Sequence, residues 1–297
     1  LAKGIDTLHT YNPRFVSRDM VNGLAKGIDT LHTYNPRFVS RGMVNVLAKG
    51  IDTLHTNNPE SVSRDMVEVL TKEIKSLQTN NLEPVSRDMV NGLAKGIDTL
   101  HTNNPESVSL DMVNALARGI NTLHTDNPRS VSLGMINALA KGIDTLLSSN
   151  IKEDLSFELK TLSLALLTSI SNYDINVLIE LKNTFDDLAK SVKKTSAFQN
   201  PSFKLGEGDR SYLLALESQQ VTYTKKDGEF YKYNRRASEI FNFQKGYECL
   251  SELTSTYTIP QKHEIQLTNK KKQRDYITAK IEVALIKLKS PKKFQNN

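Results

Sequence analysis

Residues 1–23 read LAKGIDTLHTYNPRFVSRDMVNG and residues 24–46 read LAKGIDTLHTYNPRFVSRGMVNV, differing only where Asp19 is answered by Gly42 and Gly23 by Val46. The same frame restarts at Leu47, Leu70, Leu93, Leu116 and Leu139, and a degenerate copy begins at Leu162, so eight copies fill residues 1–184. A fixed period of this size marks a stacked array, in which each unit buries its apolar face only against its neighbours.

The phase of the apolar residues sets the unit. On a helix starting from Val16, the side chains of Val16, Met20, Val21, Leu24, Ile28 and Leu31 fall within an arc of about 140°, as an amphipathic helix requires. The alternative is two short helices broken at Asn22-Gly23, but this glycine is replaced by Val46, Val69, Ala115 and Ala138 elsewhere. A left-handed cap does not accept valine easily. One helix of about twenty residues and ~30 Å per repeat is therefore expected. Asn12, Asn35, Asn58, Asn104 and Asn127 read as N-caps, each followed by proline at the first helical position. Connectors this short make adjacent helices antiparallel, giving a 46-residue hairpin module of the size class of HEAT-type repeats, without that family's sequence pattern. Gly27 and its equivalents lie on the buried arc and admit a close neighbour. The fourth copy departs from the pattern with Glu73, Lys75, Gln78 and Pro84, and is the expected irregular joint.

The fold class expected is mainly α: a solenoid of antiparallel helices over 1–184, its last two copies degenerate and its first helix cut by Leu1. A terminal helix and linker follow over 185–210, then a small basic α+β module over 211–297. In that module SYLLALES and VTYT read as strands, and KKDGEFYKYN carries an Asp227-Gly228 turn flanked by aromatics, a strong hairpin signal. ITAKIEVALIKLK reads as a final amphipathic helix. Because Leu1 falls inside a repeat, the chain is expected to be a piece of a longer protein, and an uncapped end would permit self-association.

Residues 211–255, with YLLALES, VTYT, KKDGEFYKYN and KGYECLSEL in that order, weakly resemble the C-terminal half of papain-like cysteine peptidases. The resemblance implies a histidine where Gln219 or Gln220 stands and an aspartate where Asn234 stands. It also implies an upstream cysteine, whereas the one cysteine is Cys249. A cysteine nucleophile needs its base, so an inactive remnant is what the resemblance allows.

Charge separates the classes of partner. Residues 1–184 hold 18 basic and 20 acidic side chains of the chain's 39 and 33, which leaves 21 against 13 for the remainder. A solenoid that tracks phosphates needs a basic stripe, so nucleic acid is not expected on the repeats and a protein partner is. The cluster Lys270, Lys271, Lys272 and Arg274 would allow the C-terminal helix to meet an anionic membrane surface or nucleic acid. The longest apolar run, Leu162 to Ile170, is about half of what a membrane span needs. With a single cysteine, a soluble protein in a reducing compartment is favoured, cytoplasmic or delivered into a host cytosol. Abundant Asn, Lys, Ile and Ser with near-verbatim duplication suit an effector-like protein of a host-associated microbe.

No nucleophile–base pair, phosphate loop or paired-carboxylate motif occurs in the repeats, so no catalytic residue, metal or cofactor is assigned and the chain reads as non-enzymatic. His9, His32, His55, His101 and His124 are read as last-turn residues facing the helix carbonyls. Copies vary at the connector and the first helical turn, which makes Tyr11, Arg14, Arg18, Tyr34, Arg37, Arg41, Glu60, Arg64, Glu106 and Arg129 the candidate partner-binding residues.

Overall fold

The structure is a computed structural model, described for residues 1–80, 85–149, 155–172 and 175–193, with Tyr247, Leu250 and Ser251. These residues are almost entirely helical. The helices are α1 (Ala2–Tyr11), α2 (Arg18–Tyr34), α3 (Arg41–Asn57), α4 (Arg64–Asn80), α5 (Arg87–Asn103), α6 (Leu110–Asp126), α7 (Leu133–Ser148), α8 (Ser156–Asn172) and α9 (Ile175–Lys193). No strand occurs among the described residues. The hairpin at Asp227-Gly228 and nearly all of the C-terminal module lie outside them.

Each intact repeat forms one helix, and the helix passes without a break through Gly23 and Val46. It has 17 residues, about 25 Å long, rather than about twenty, because it starts later than the asparagine–proline signal suggests. Pro13–Phe15 forms a separate turn of 3-10 helix, closed by Phe15 N–H donating to the Asn12 carbonyl at 3.0 Å. Val16 is then extended and drops its side chain into the core, 6% exposed. Ser17 follows as the true N-cap, its Oγ accepting from Met20 N–H at 3.3 Å. Ser40, Ser86, Ser109 and Ser132 cap their helices in the same way. Asn12, Asn35, Asn58, Asn104 and Asn127 instead close the preceding helix, and their N–H groups donate to the leucine carbonyls four residues back.

The chain divides into two compact units, 1–151 and 152–297. In the first, each helix packs on the helix two places along, so α1, α3, α5 and α7 make one layer and α2, α4 and α6 a second. Helices in one layer run parallel: Asp6 meets Lys49 and, one turn on, His9 meets Thr53. Consecutive helices must therefore alternate in direction, as their short connectors demand. Ile28, Leu47, Ile51, Leu70, Ile74, Leu93 and Ile97 are all fully buried in this stack.

Glycine sets how closely the helices approach. A Cβ on Gly50, Gly96, Gly119 or Gly142 would sit 2.8–2.9 Å from Cγ2 of Val21, Val67, Val90 or Val113, the valine 29 residues earlier. Gly92 is tighter still, since its Cβ would meet the Ala48 carbonyl oxygen at 2.6 Å. Accordingly α3 and α5 make the most extensive helix pair, followed by α5 and α7, where the equivalent residue is Ala138. The second unit contains α8 and α9, with Phe185, Leu181 and Leu188 buried. Asp186 of α9 accepts from Lys182 at 2.8 Å and from the Tyr247 hydroxyl at 2.5 Å. Burial and the Asp186 carboxylate push the Tyr247 phenol up to about 12.

Candidate functional site

The connectors carry the residues that vary between copies, and alternation of helix direction sorts them onto two ends of the stack. Tyr11, Arg14, Arg18, Glu60, Arg64 and Glu106 belong to the connectors and first turns at one end. Tyr34, Arg37, Arg41 and Arg129 lie at the other, separated from the first set by the length of a helix. The ten candidates thus form two rows. Within the first row neighbouring connectors do converge: Glu60 and Arg64 share an open groove with Thr102, Asn103, Asn104 and Ser107. All ten are exposed except Arg41, which is half-buried, and Arg64 is held by Glu68 of its own helix at 2.6 Å.

The first two connectors differ from the rest in carrying aromatic side chains that the fold does not bury. Tyr11 is 77% exposed, Phe15 70%, Tyr34 85% and Phe38 67%. Asn57 and Ser61 occupy the equivalent places in the third connector, whose 3-10 turn Pro59–Ser61 closes with the same hydrogen bonds. The aromatics are therefore not needed to make the turn. Phe15 and Phe38 complete the candidate surface, and their signal in the sequence was the replacement by serine in later copies.

The histidines have a role not legible in the single helix. His9 Nδ1 lies 2.7 Å from Thr53 Oγ1, His55 2.8 Å from Thr99 and His101 2.7 Å from Thr145, each 44 residues apart. Each threonine hydroxyl already donates to the carbonyl of Lys49, Lys95 or Lys141, so the imidazole must donate and its proton resides on Nδ1. They meet a hydroxyl of the next helix in their layer, not their own helix's carbonyls. Burial lowers the basicity of His55 and His101 below the ordinary histidine value. Alongside runs a ladder of ion pairs at a separation of 43: Lys49–Asp6 at 2.8 Å, Lys95–Asp52, and Lys141–Asp98 at 2.5 Å, with Lys72–Asp29 at 2.8 Å in the second layer.

The fourth copy rewires both ladders. Glu73, 3% exposed, replaces the small glycine and places Oε1 2.7 Å from His32 Nδ1. Burial raises the Glu73 carboxyl above the ordinary glutamate value, against the pull of His32 and Lys72. Lys75 stands where Asp6, Asp29, Asp52, Asp98 and Asp144 stand in other copies and would face Arg118; it reaches Asp111 at 2.7 Å instead, while Arg118 turns to Asn114 of its own helix. Residues 81–84, with Pro84, lie outside the described residues.

Among the described residues no cluster of His, Cys, Asp or Glu is arranged to hold a metal ion, and no helix is long and apolar enough to cross a membrane. Lys270, Lys271, Lys272 and Arg274 lie outside the described residues, as do Gln219, Gln220 and Asn234. No protein-family model, no curated protein and no solved structure matches the chain.

Proposed function

We propose that the protein is a non-enzymatic α-solenoid scaffold that binds another protein through the connector ends of its repeats, with a smaller basic C-terminal module. The observation that carries this reading is the exposure of Tyr11, Phe15, Tyr34 and Phe38 at turns that form equally well without them. Aromatic side chains beside arginine, here Arg14, Arg18, Arg37 and Arg41, are the composition that binding hot spots favour. The rigid helices behind them, capped by serine and pinned by the histidine and lysine ladders, hold the two rows at fixed separation. An effector-like role in a host-associated microbe is consistent with this design. The basic cluster Lys270–Arg274 supplies a second, salt-sensitive contact with an anionic surface.

The later copies define the test. Tyr11→Asn, Phe15→Ser, Tyr34→Asn and Phe38→Ser replace the aromatics of the first two connectors by the residues of the third, and stability should stay within about 0.5 kcal/mol. With a photo-cross-linker at Asn12 or Asn35 in the full chain, a discrete adduct in a cell extract is expected, and it should be lost in the fourfold variant. An unchanged adduct in that variant would remove the connectors from the binding site.

A further inference from the structure

The groove between the third connector and the C-terminal end of α5 is built wholly by the third and fifth copies, and it holds polar groups that the fold leaves unused. Its floor is Val62, Leu100 and Ser107, all buried, the serine to 6% exposure. The Ser107 N–H donates to the Asn104 carbonyl at 3.0 Å, but among the described residues its hydroxyl has no partner. One wall carries Asn103 and Asn104. The Asn104 side chain does not cap its own turn, and neither amide is bonded among the described residues. Asn127 differs, since it accepts from the Arg129 N–H at 3.1 Å. On the opposite wall Arg64 is neutralised by Glu68 at 2.6 Å, whereas Glu60 has no cation opposite it among the described residues. The groove is therefore net acidic. It holds about 580 Å³, within the roughly 300–1,000 Å³ of binding clefts.

We infer that this groove binds an extended segment of a partner protein, held by its main chain and by one basic side chain. An asparagine amide offers a donor and an acceptor side by side, the complement of the C=O and N–H along one edge of an extended chain. Main-chain bonds of this kind give affinity that does not depend on sequence. The Ser107 hydroxyl, buried and unpartnered, gains its hydrogen bond only when the groove is filled. Glu60 at the rim then selects lysine or arginine over an acidic residue. The same positions one module earlier carry Asn57 and Asn58 but Arg14 in place of Glu60, so a basic residue is received at one place on this row and repelled at the next. The groove belongs to the connector surface proposed above, on which this assignment rests, but it contains none of Tyr11, Phe15, Tyr34 and Phe38.

The probe is an acetylated peptide of three Lys-Ser-Gly triplets, titrated into the full chain by calorimetry. Saturable one-to-one binding is expected, with none for the peptide in which glutamate replaces each lysine. Ser107→Ala removes a hydroxyl that bonds nothing in the free protein, so it should leave Tm unchanged and weaken binding about three- to ten-fold. Glu60→Arg installs the residue of the first connector and should weaken binding at least about ten-fold, as like charges oppose. The lysine peptide N-methylated along its backbone keeps every charge and should not bind. In the fourfold aromatic variant the affinity should be unchanged, so failure of the cross-linking test and failure of this titration are separate results. Absence of binding, equal affinity for the N-methylated peptide, or indifference to both Ser107→Ala and Glu60→Arg overturns the proposal. So does preference for the glutamate peptide, since the occupant would then be an acidic segment.

Discussion

Gly92 and Gly27 hold the same residue type in the same kind of helix and should respond oppositely to alanine. At Gly92 the new Cβ would lie 2.6 Å from a backbone oxygen of α3 that cannot move aside, so Gly92→Ala should cost about 1–3 kcal/mol as the helices separate. At Gly27 nothing stands in the way, and Gly27→Ala should gain up to about 1 kcal/mol from helix propensity. Chemical denaturation of the two variants measures both; equal effects would mean that α3 and α5 are not in contact there. The histidines make a second residue-scale prediction. Because His55 and His101 are less basic folded than unfolded, the folded state binds fewer protons between the lowered values and about 6.5. Their contribution is complete above that range and is lost as pH falls through the lowered values. His55→Gln/His101→Gln should flatten the pH dependence of Tm below about pH 6.5, and an unchanged slope would show that burial does not disfavour these imidazolium ions. Glu73 acts in the opposite sense, since a raised carboxyl is relieved by acidification.

At the scale of the element, one unbroken helix per repeat was legible because the two halves of residues 13–32 share one apolar phase, and valine at the Gly23 position ruled out a break. The start of that helix lies five residues later than the asparagine–proline signal implies. Asn12-Pro13 has the chemistry of a helix start and does start one, but only a three-residue 3-10 turn, which ends because Val16 must extend to reach the core. The serine after the buried valine was the better signal. Ser109 caps α6 through Met112 N–H, so Ser109→Ala should cost about 1 kcal/mol in thermal or denaturant unfolding; no loss would return the cap to Asn104. The cross-helix ladders could not be read from one repeat. A lysine and an aspartate 43 residues apart, or a histidine and a threonine 44 apart, become neighbours only once helices two places along are known to run parallel in one layer. Lys75 and Glu73, flagged as departures, are the places where those ladders change partners.

At the scale of the whole molecule, the stack of the first unit obeys a simple rule: a residue's nearest long-range neighbours lie about two repeats away in its own layer and about one repeat away in the other. That rule separates the ten variable connector positions into two rows. The C-terminal module, where hairpin and basic helix are expected, contributes to the described structure through Tyr247 on Asp186, which ties it to α9. The most direct measurement is a methyl-resolved nuclear Overhauser experiment on the full chain, read at the Gly96 α-protons. A Cβ at Gly96 would sit 3.5 Å from Ile51 Cγ2 and 2.8 Å from Val67 Cγ2, so cross-peaks from Gly96 to both methyl groups are predicted, one across two repeats and one across a single repeat. Cross-peaks to neither methyl, with only contacts inside residues 87–103, would contradict the two-layer stack.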